Sequence, residues 1–194
     1  MASSATKDRA EPSGEGRRAQ NYRATRARLL CAAYEIMSDG GVDSARVRDI
    51  TDKADIGFGT FYNYFEDKDA VARSVLDCII HDLGERIRIA TAHLRGIDTA
   101  LLMGTANRLV LRSAMSDPIW RWWALRPDLL FDRMSKGFGP FAIEDVRQAV
   151  EAGTSSLSVD QIDAAWALAT WLMVGGIHDV AVGDRPPESE TFVA

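Results

Sequence analysis

Glycines, aromatic residues and polar residues that could bind a partner are concentrated in one stretch, ADIGFGTFYNYFEDKDAV, at positions 54–71. It opens with two glycines, Gly57 and Gly59, and carries five aromatic side chains within eight positions. On a helix that turns about 100° per residue, Phe61 and Phe65 share one face, while hydroxyl, phenol and amide groups lie on the other. Free N–H groups at a helix start attract phosphate, and glycine places no Cβ in the way. The pattern therefore indicates non-covalent contact with a phosphate-lined groove.

This stretch is predicted to be the second of two short helices that are joined by a turn. Helical spacing predicts one helix over residues 45–54, with Ser44 or Asp43 as its N-cap, and a tight turn at residues 55–56. The aromatic stretch then forms a second short helix, and the pair makes a helix-turn-helix whose second helix lies in the major groove of DNA. Lys68, one turn further on, adds a positive charge for phosphate.

The remainder of the chain also has helical spacing, and no alternating run of useful length predicts a strand, so the fold class is all-α. The glycine pair at 40–41 should stop the first helix, and GFGP at 137–140 should break a later one. The sequence SVDQ at 158–161 reads as a capping box that opens a long last helix. Further helices are predicted at about residues 24–39, 66–96, 99–115, 129–136, 141–152 and 158–182.

The charge distribution matters more than the net charge. A net charge of −5 and a pI of about 5.2 argue weakly against a nucleic-acid partner. Residues 17–28, however, hold five arginines and no acid, which makes a local basic patch. We expect residues 1–21 to form a disordered basic arm, which either contacts DNA through Arg23 or its neighbours or is a solvated tail.

Composition and motifs exclude several classes. The 194 residues are 46% hydrophobic and 26% charged, as in soluble globular proteins. No apolar run is predicted to approach the roughly 20 residues of a membrane span, and no leader is evident, so a cytoplasmic protein is expected. Cys31 and Cys78 are expected to be buried, reduced thiols. His81 and Glu85 could hold a metal but lack a third ligand, and no hydrolase, P-loop or dinucleotide motif occurs. We expect no cofactor, no metal and no catalysis.

Two stretches of the sequence, residues 25–37 and 47–71, resemble a known family. VRDITDKADIGFGTFYNYFEDKDAV at 47–71 resembles the DNA-binding signature of the TetR/AcrR family of bacterial transcriptional regulators, and TRARLLCAAYEIM at 25–37 is similar to that family's first helix. The resemblance implies a homodimer on a pseudo-palindromic operator. It also implies a helix-turn-helix domain at 22–70 and a helical domain for ligand binding and dimerisation at 71–194.

The resemblance assigns roles to individual residues. Arg46 departs from the family's usual Thr or Ser and could add a phosphate contact, Asp55 replaces a turn glycine, and Phe58 either meets a thymine methyl group or folds back on the core. The positions that match DNA contacts, or that let the backbone approach DNA, are Arg46, Arg48, Gly57, Phe58, Gly59, Thr60, Tyr62, Asn63, Tyr64 and Lys68.

The long last helix is apolar nearly all round, so it must be covered on two sides. The core covers one stripe, and a twofold-related copy is expected on the other, at Ala164, Ala167, Leu168, Trp171, Gly175 and His178. The family usually adds a further helix here, whereas the final residues can form at most two turns. The expected pocket, whose members could equally be core residues, takes a lipophilic or aromatic ligand at Met103, Asn107, Leu111, Trp120, Trp123, Phe131, Phe138, Trp166 and Thr170.

The favoured interpretation is a ligand-responsive repressor that a small hydrophobic or aromatic effector releases from double-stranded operator DNA. One alternative is an architectural or activating DNA-binding protein without a ligand. An alternative of another class is a helical protein-interaction or enzymatic domain that binds no nucleic acid.

Overall fold

A computed structural model describes residues 14–183, and that part of the chain contains helices and no strands. The all-α prediction is confirmed. The 3-10 turns are Ala92–Leu94 and Val159–Gln161. The α-helices are α1 Gly14–Gly40, α2 Val47–Lys53, α3 Phe58–Phe61, α4 Lys68–Ala90, α5 Thr99–Ser116, α6 Ile119–Ala124, α7 Pro127–Glu151 and α8 Ile162–Val182.

The first helix is longer than its apolar spacing predicted. It begins at Gly14, so residues 14–21 are helical where a disordered arm was expected, and residues 1–13 lie outside the described range. Its polar first turns carry no apolar period because they extend beyond the core. The helix stops at the predicted place, where Gly41 has a φ of +89° that a glycine adopts without strain.

The predicted cap of α2 is wrong. Arg46 occupies the N-cap position without a side-chain hydrogen bond. The Ser44 hydroxyl instead donates to the carbonyl oxygens of Gly40 at 2.6 Å and Gly41 at 3.1 Å, at the end of α1. After α2, Asp55 has a φ of +51°, which confirms that an aspartate forms this turn in place of glycine.

One apolar core runs through both halves of the chain. Phe61 and Phe65 are buried in the same apolar cluster as residues of α1, α2 and α4, as their shared face predicted. The same core continues through Trp120 and Trp123 of α6 to Ile177 of α8. Helix α4 is therefore common to both halves, and the division at residues 70 and 71 stays a prediction.

Helix α7 is continuous, although GFGP was predicted to break it. A Cβ at Gly137 would overlap Cγ2 of Ile80 on α4, and one at Gly139 would lie 3.1 Å from Nε1 of Trp166 on α8. These glycines allow two neighbouring helices to approach closely, and this packing keeps the segment helical around Pro140.

Helix α8 and the cysteines correct two composition-based predictions. Within the described residues, Val159–Val182 is long and apolar enough to cross a membrane by length and composition, with a mean hydropathy of 1.3. A core helix of a soluble protein meets the same criterion, and α8 packs on α5, α6 and α7. Only 17% of that window is buried, so much apolar surface stays uncovered. Cys31 and Cys78 are exposed rather than buried.

Candidate functional site

The aromatic segment has one buried and one exposed side. Helix α3 spans only four residues, and Gly57 stands at its N-cap. The Phe61 ring is completely buried and lies 5.7 Å from the Phe65 ring. Phe58 and Tyr62 are each 52% exposed and meet edge to face at 5.7 Å. Phe58 therefore does not fold back on the core.

The polar groups predicted to meet DNA lie at or near the surface. Arg46, Arg48 and Asn63 are exposed, and Thr60 is partly exposed. A Cβ at Gly59 would meet no atom within 4 Å, so nothing inside the monomer requires glycine at this position. The absence of a side chain there leaves the backbone open to close approach from outside.

The N-terminal half of α1 packs against one side of the aromatic segment at residues 57–65. The Tyr22 ring stacks on the Tyr64 ring at 4.6 Å with an interplanar angle of 28°. One turn later, the Arg26 guanidinium lies 5.2 Å from the centre of the Phe65 ring and donates to the Ser74 hydroxyl at 3.3 Å. Sequence reasoning missed Tyr22, because its polar surroundings gave no apolar period.

Lys68 lies between the segment and the loop that precedes α2. Its Nζ donates to the backbone oxygen of Asp43 at 3.0 Å, and its side chain is partly buried. Asp67, the residue before Lys68, is the N-cap of α4, and its carboxylate accepts the Ala70 N–H at 2.6 Å. The ammonium charge is thus held beside the loop that precedes α2.

A cavity of about 240 Å³ lies between α4, α5, α7 and α8, and its lining is mostly apolar. Four residues of the predicted pocket lie elsewhere. Trp120 and Trp123 fill the core, Phe131 stacks on Trp171 at 4.4 Å, and Leu111 packs beside Gly176. Helical spacing cannot distinguish such core positions from a cavity wall. The predicted residues that do line the cavity are Met103, Asn107, Phe138, Trp166 and Thr170.

Sequence reasoning missed the polar end of the cavity. Arg95 Nε lies 3.2 Å from Asp145 Oδ1, and the Arg95 Nη1 group donates to the backbone oxygen of Arg88 at 3.2 Å. Both ion-pair partners are largely buried and line the cavity. The indole Nε1 of Trp166 is a buried donor without a hydrogen-bond partner in the described structure. Nothing local in the sequence joins Arg95, which follows the turn Ala92–Leu94, to Asp145 on α7.

The second face of α8 is uncovered in the monomer. Ala164, Leu168, Trp171, Gly175 and His178 are exposed, and Ala167 is partly exposed. Sequence reasoning missed Leu172, which is 70% exposed beside them. A Cβ at Gly175 would meet no atom within 4 Å, so this face has room for a closely packed neighbour.

The weak metal hypothesis gains no support from the residues between 14 and 183, among which no group of three or more potential ligands occurs. Glu85 instead accepts two hydrogen bonds from Arg88, at 2.8 and 3.1 Å. That hydrogen bonding lowers the pKa of the Glu85 carboxyl.

Two family models match the chain. Residues 29–75 match the model described as bacterial regulatory proteins, tetR family, and residues 98–191 match tetracyclin repressor-like, C-terminal domain. The uncharacterized HTH-type transcriptional regulator YvdT of Bacillus subtilis (strain 168) is 34% identical over 61 residues. That match spans 31% of each protein, less than a third of either.

Solved structures extend the likeness to most of the chain. RolR in complex with the ligand resorcinol has a TM-score of 0.74 and 27% identity, covering 86% of this chain and 83% of that one. RolR without ligand has a TM-score of 0.62 and 24% identity, with coverages of 82% and 97%, and supports the fold alone.

Proposed function

Because the chain belongs to the tetR family of bacterial regulatory proteins, we propose that it is a ligand-responsive repressor that acts in the cytoplasm. It binds a pseudo-palindromic operator as a homodimer and leaves that DNA when a small aromatic molecule enters the cavity. The observation that carries this proposal is the pair of faces at residues 57–65, with two buried phenylalanines behind an exposed polar and aromatic side.

The exposed side faces the major groove. Thr60, Tyr62 and Asn63 meet phosphates and base edges, while Gly57 and Gly59 let the backbone come close. Arg46, Arg48 and Lys68 contact phosphates, since a guanidinium or ammonium group releases counterions from the duplex when it binds.

A second copy covers the free face of α8. Leu168 and Leu172 are 64% and 70% exposed there, and Trp171 lies between them. Burying this apolar face removes it from water, and Gly175 permits close packing of two α8 helices. The resulting twofold axis places two recognition segments about one DNA repeat apart, roughly 34–36 Å.

The effector is a molecule of one or two aromatic rings that carries hydroxyl or carboxyl groups. An apolar cavity of about 150 Å³ holds benzene, and the cavity here measures about 240 Å³. The Arg95–Asp145 pair offers both a donor and an acceptor to a phenol, and Asn107 adds an amide. The likeness to RolR, whose structure contains resorcinol, favours the same chemical class.

Release follows from the position of α4. Gly84, Ile87 and Arg88 of α4 line the cavity, and the same helix begins at Lys68 beside the DNA-binding face. A ligand that fits one orientation of α4 better shifts the population toward it and changes the spacing of the two recognition segments.

DNA binding is tested by fluorescence anisotropy with duplex DNA from the region upstream of the chain's own coding sequence. We expect Tyr62→Ala and Lys68→Ala to weaken binding, and Lys68→Ala to lower the slope of log affinity against log salt by about 0.9. Arg147→Ala, which removes an exposed charge from α7, is the matched control. Unchanged affinity in both test variants contradicts the docking face.

Effector binding is tested separately by thermal unfolding with resorcinol. A ligand that binds only the folded state raises the melting temperature, and at 100 times its Kd it adds about 2.7 kcal/mol of stability. Met103→Trp should fill the cavity and abolish the shift, whereas Leu101→Trp, at an exposed site on the same helix, should retain it. DNA binding without any response to resorcinol, catechol or phenol favours the alternative of a DNA-binding protein without this effector class.

A further inference from the structure

Helix α6 touches the DNA-binding half directly, at the loop between α1 and α2. A Cβ at Gly41 would overlap the six-membered ring of the Trp122 indole. The indole therefore occupies the space that a Cβ at residue 41 would need, which is a second reason for glycine besides its φ. This packing joins the ligand-binding half to the turn that leads into α2.

An ion pair extends the contact beyond the indole. Arg126, just after α6, has its Nη2 2.7 Å from Asp43 Oδ1, and its Nη1 donates to the Trp122 backbone oxygen at 3.1 Å. The other side of Asp43 accepts the Lys68 ammonium through its backbone oxygen at 3.0 Å. Asp43 thus connects Arg126 of one half to Lys68 of the other.

Two further hydrogen bonds attach the N-terminal end of α6 to the DNA-binding half. The Tyr34 hydroxyl of α1 donates to Asp117 Oδ2 at 2.8 Å, and Asp117 Oδ1 accepts the Ile119 N–H at 3.0 Å, where α6 begins. Both ends of this six-residue helix are therefore attached to the DNA-binding half. None of its residues lines the cavity.

We infer that Trp122 and Arg126 are positioning residues for DNA binding, because they hold the loop at residues 41–43 and, through Asp43, place the Lys68 ammonium. We call this set of contacts the α6–loop contact. It rests on the proposed DNA-binding function. It differs from the proposed release through α4, since α6 packs on α8 and so joins the DNA-binding half to the helix that carries the uncovered apolar face.

The inference is tested by a double-mutant cycle between two residues that do not touch. Arg126→Ala should weaken binding to the upstream duplex about three- to tenfold, within the range of indirect couplings. In a Lys68→Ala background the same change should cost nothing further, because its effect acts through that ammonium. Arg121→Ala, an exposed charge on α6 itself, is the control and should bind as the wild type does.

Each variant's melting temperature separates positioning from unfolding. Affinities measured well below every melting temperature report a displaced Lys68 and not a loss of folded protein. Multiplicative losses for Arg126→Ala and Lys68→Ala overturn the inference, as does an unchanged affinity for Arg126→Ala alone.

Hydrogen exchange provides a readout that needs no DNA. Exchange of the Ile50 and Ala54 amide protons, whose N–H groups donate to Arg46 O and Ile50 O, reports opening of α2. We expect α2 to exchange faster in Arg126→Ala than in the wild type or in Arg121→Ala. Failure of the wild type to bind DNA refutes the proposed function, whereas equal exchange in all three proteins refutes the α6–loop contact as a positioning device.

Discussion

Phe58 and Phe61 lie three positions apart and should respond oppositely to replacement by alanine. Phe61 is completely buried, with Tyr62 and Phe65 rings at 5.4 and 5.7 Å. Removing a buried phenylalanine costs about 3–5 kcal/mol from lost burial and the cavity left behind. For a chain of this size each kcal/mol lowers the melting temperature by about 2–4 °C, so Phe61→Ala should lower it by roughly 6–20 °C.

Phe58→Ala is the matched experiment. Its ring is already half exposed and keeps one edge contact, to Tyr62, and such a contact is worth about 0.5–1.5 kcal/mol. The melting temperature should therefore fall by no more than about 6 °C, while affinity for operator DNA falls because the ring faces outward.

Scanning calorimetry of both variants, with DNA binding measured at 25 °C, completes the comparison. A greater loss of stability in Phe58→Ala than in Phe61→Ala refutes the assignment of the two faces. Phe58→Ala with normal stability and normal affinity leaves the faces intact but removes Phe58 from the DNA contact.

Three further predictions concern stability and are read from urea unfolding. Gly137→Ala should lower the free energy of unfolding by about 1–3 kcal/mol, because the new Cβ would overlap Ile80. Gly104→Ala, whose Cβ would meet no atom within 4 Å, should raise it by about 0.4–1 kcal/mol. The reverse order contradicts the packing of α7. Asp67→Ala should cost about 1 kcal/mol through the lost N-cap of α4, and no loss contradicts that cap. Burial, with a hydrogen bond to the Asp117 carboxylate, raises the pKa of Tyr34 above its ordinary 10.0. The contribution of Tyr34 to the free energy of unfolding is therefore complete below about pH 10 and is lost as the pH rises through the folded-state pKa. Tyr34→Phe should abolish this part of the alkaline loss of stability, and an unaltered loss refutes the prediction.

Features set by local chemistry could be predicted from the sequence. The i, i+4 spacing of Phe61 and Phe65 fixes which side of the segment is buried. Gly41 and Asp55 have positive φ, and both residue types signal such a turn because few other residues adopt that backbone conformation easily. The Ser158 capping box also forms, with the Ser158 N–H donating to Gln161 Oε1 at 3.0 Å, since both partners are three residues apart.

Features set by distant partners could not be predicted. Helix α2 begins at Val47, so Arg46 and not Ser44 stands at its N-cap, and the Ser44 hydroxyl donates to the Gly40 carbonyl oxygen at the end of α1. Gly137 and Gly139 have the local signature of a helix break, yet contacts with α4 and α8 determine their role. Neither the Arg95–Asp145 pair nor the stacking of Tyr22 on Tyr64 leaves a periodic trace.

The glycines of α7 constrain how this protein could be converted into a biosensor for other molecules. A library that varies Gly137 or Gly139 would disturb the spacing of three helices at once, and loss of response would say nothing about recognition. Met103, Ala106 and Asn107 on α5 line the cavity itself, so diversification should be concentrated on that wall.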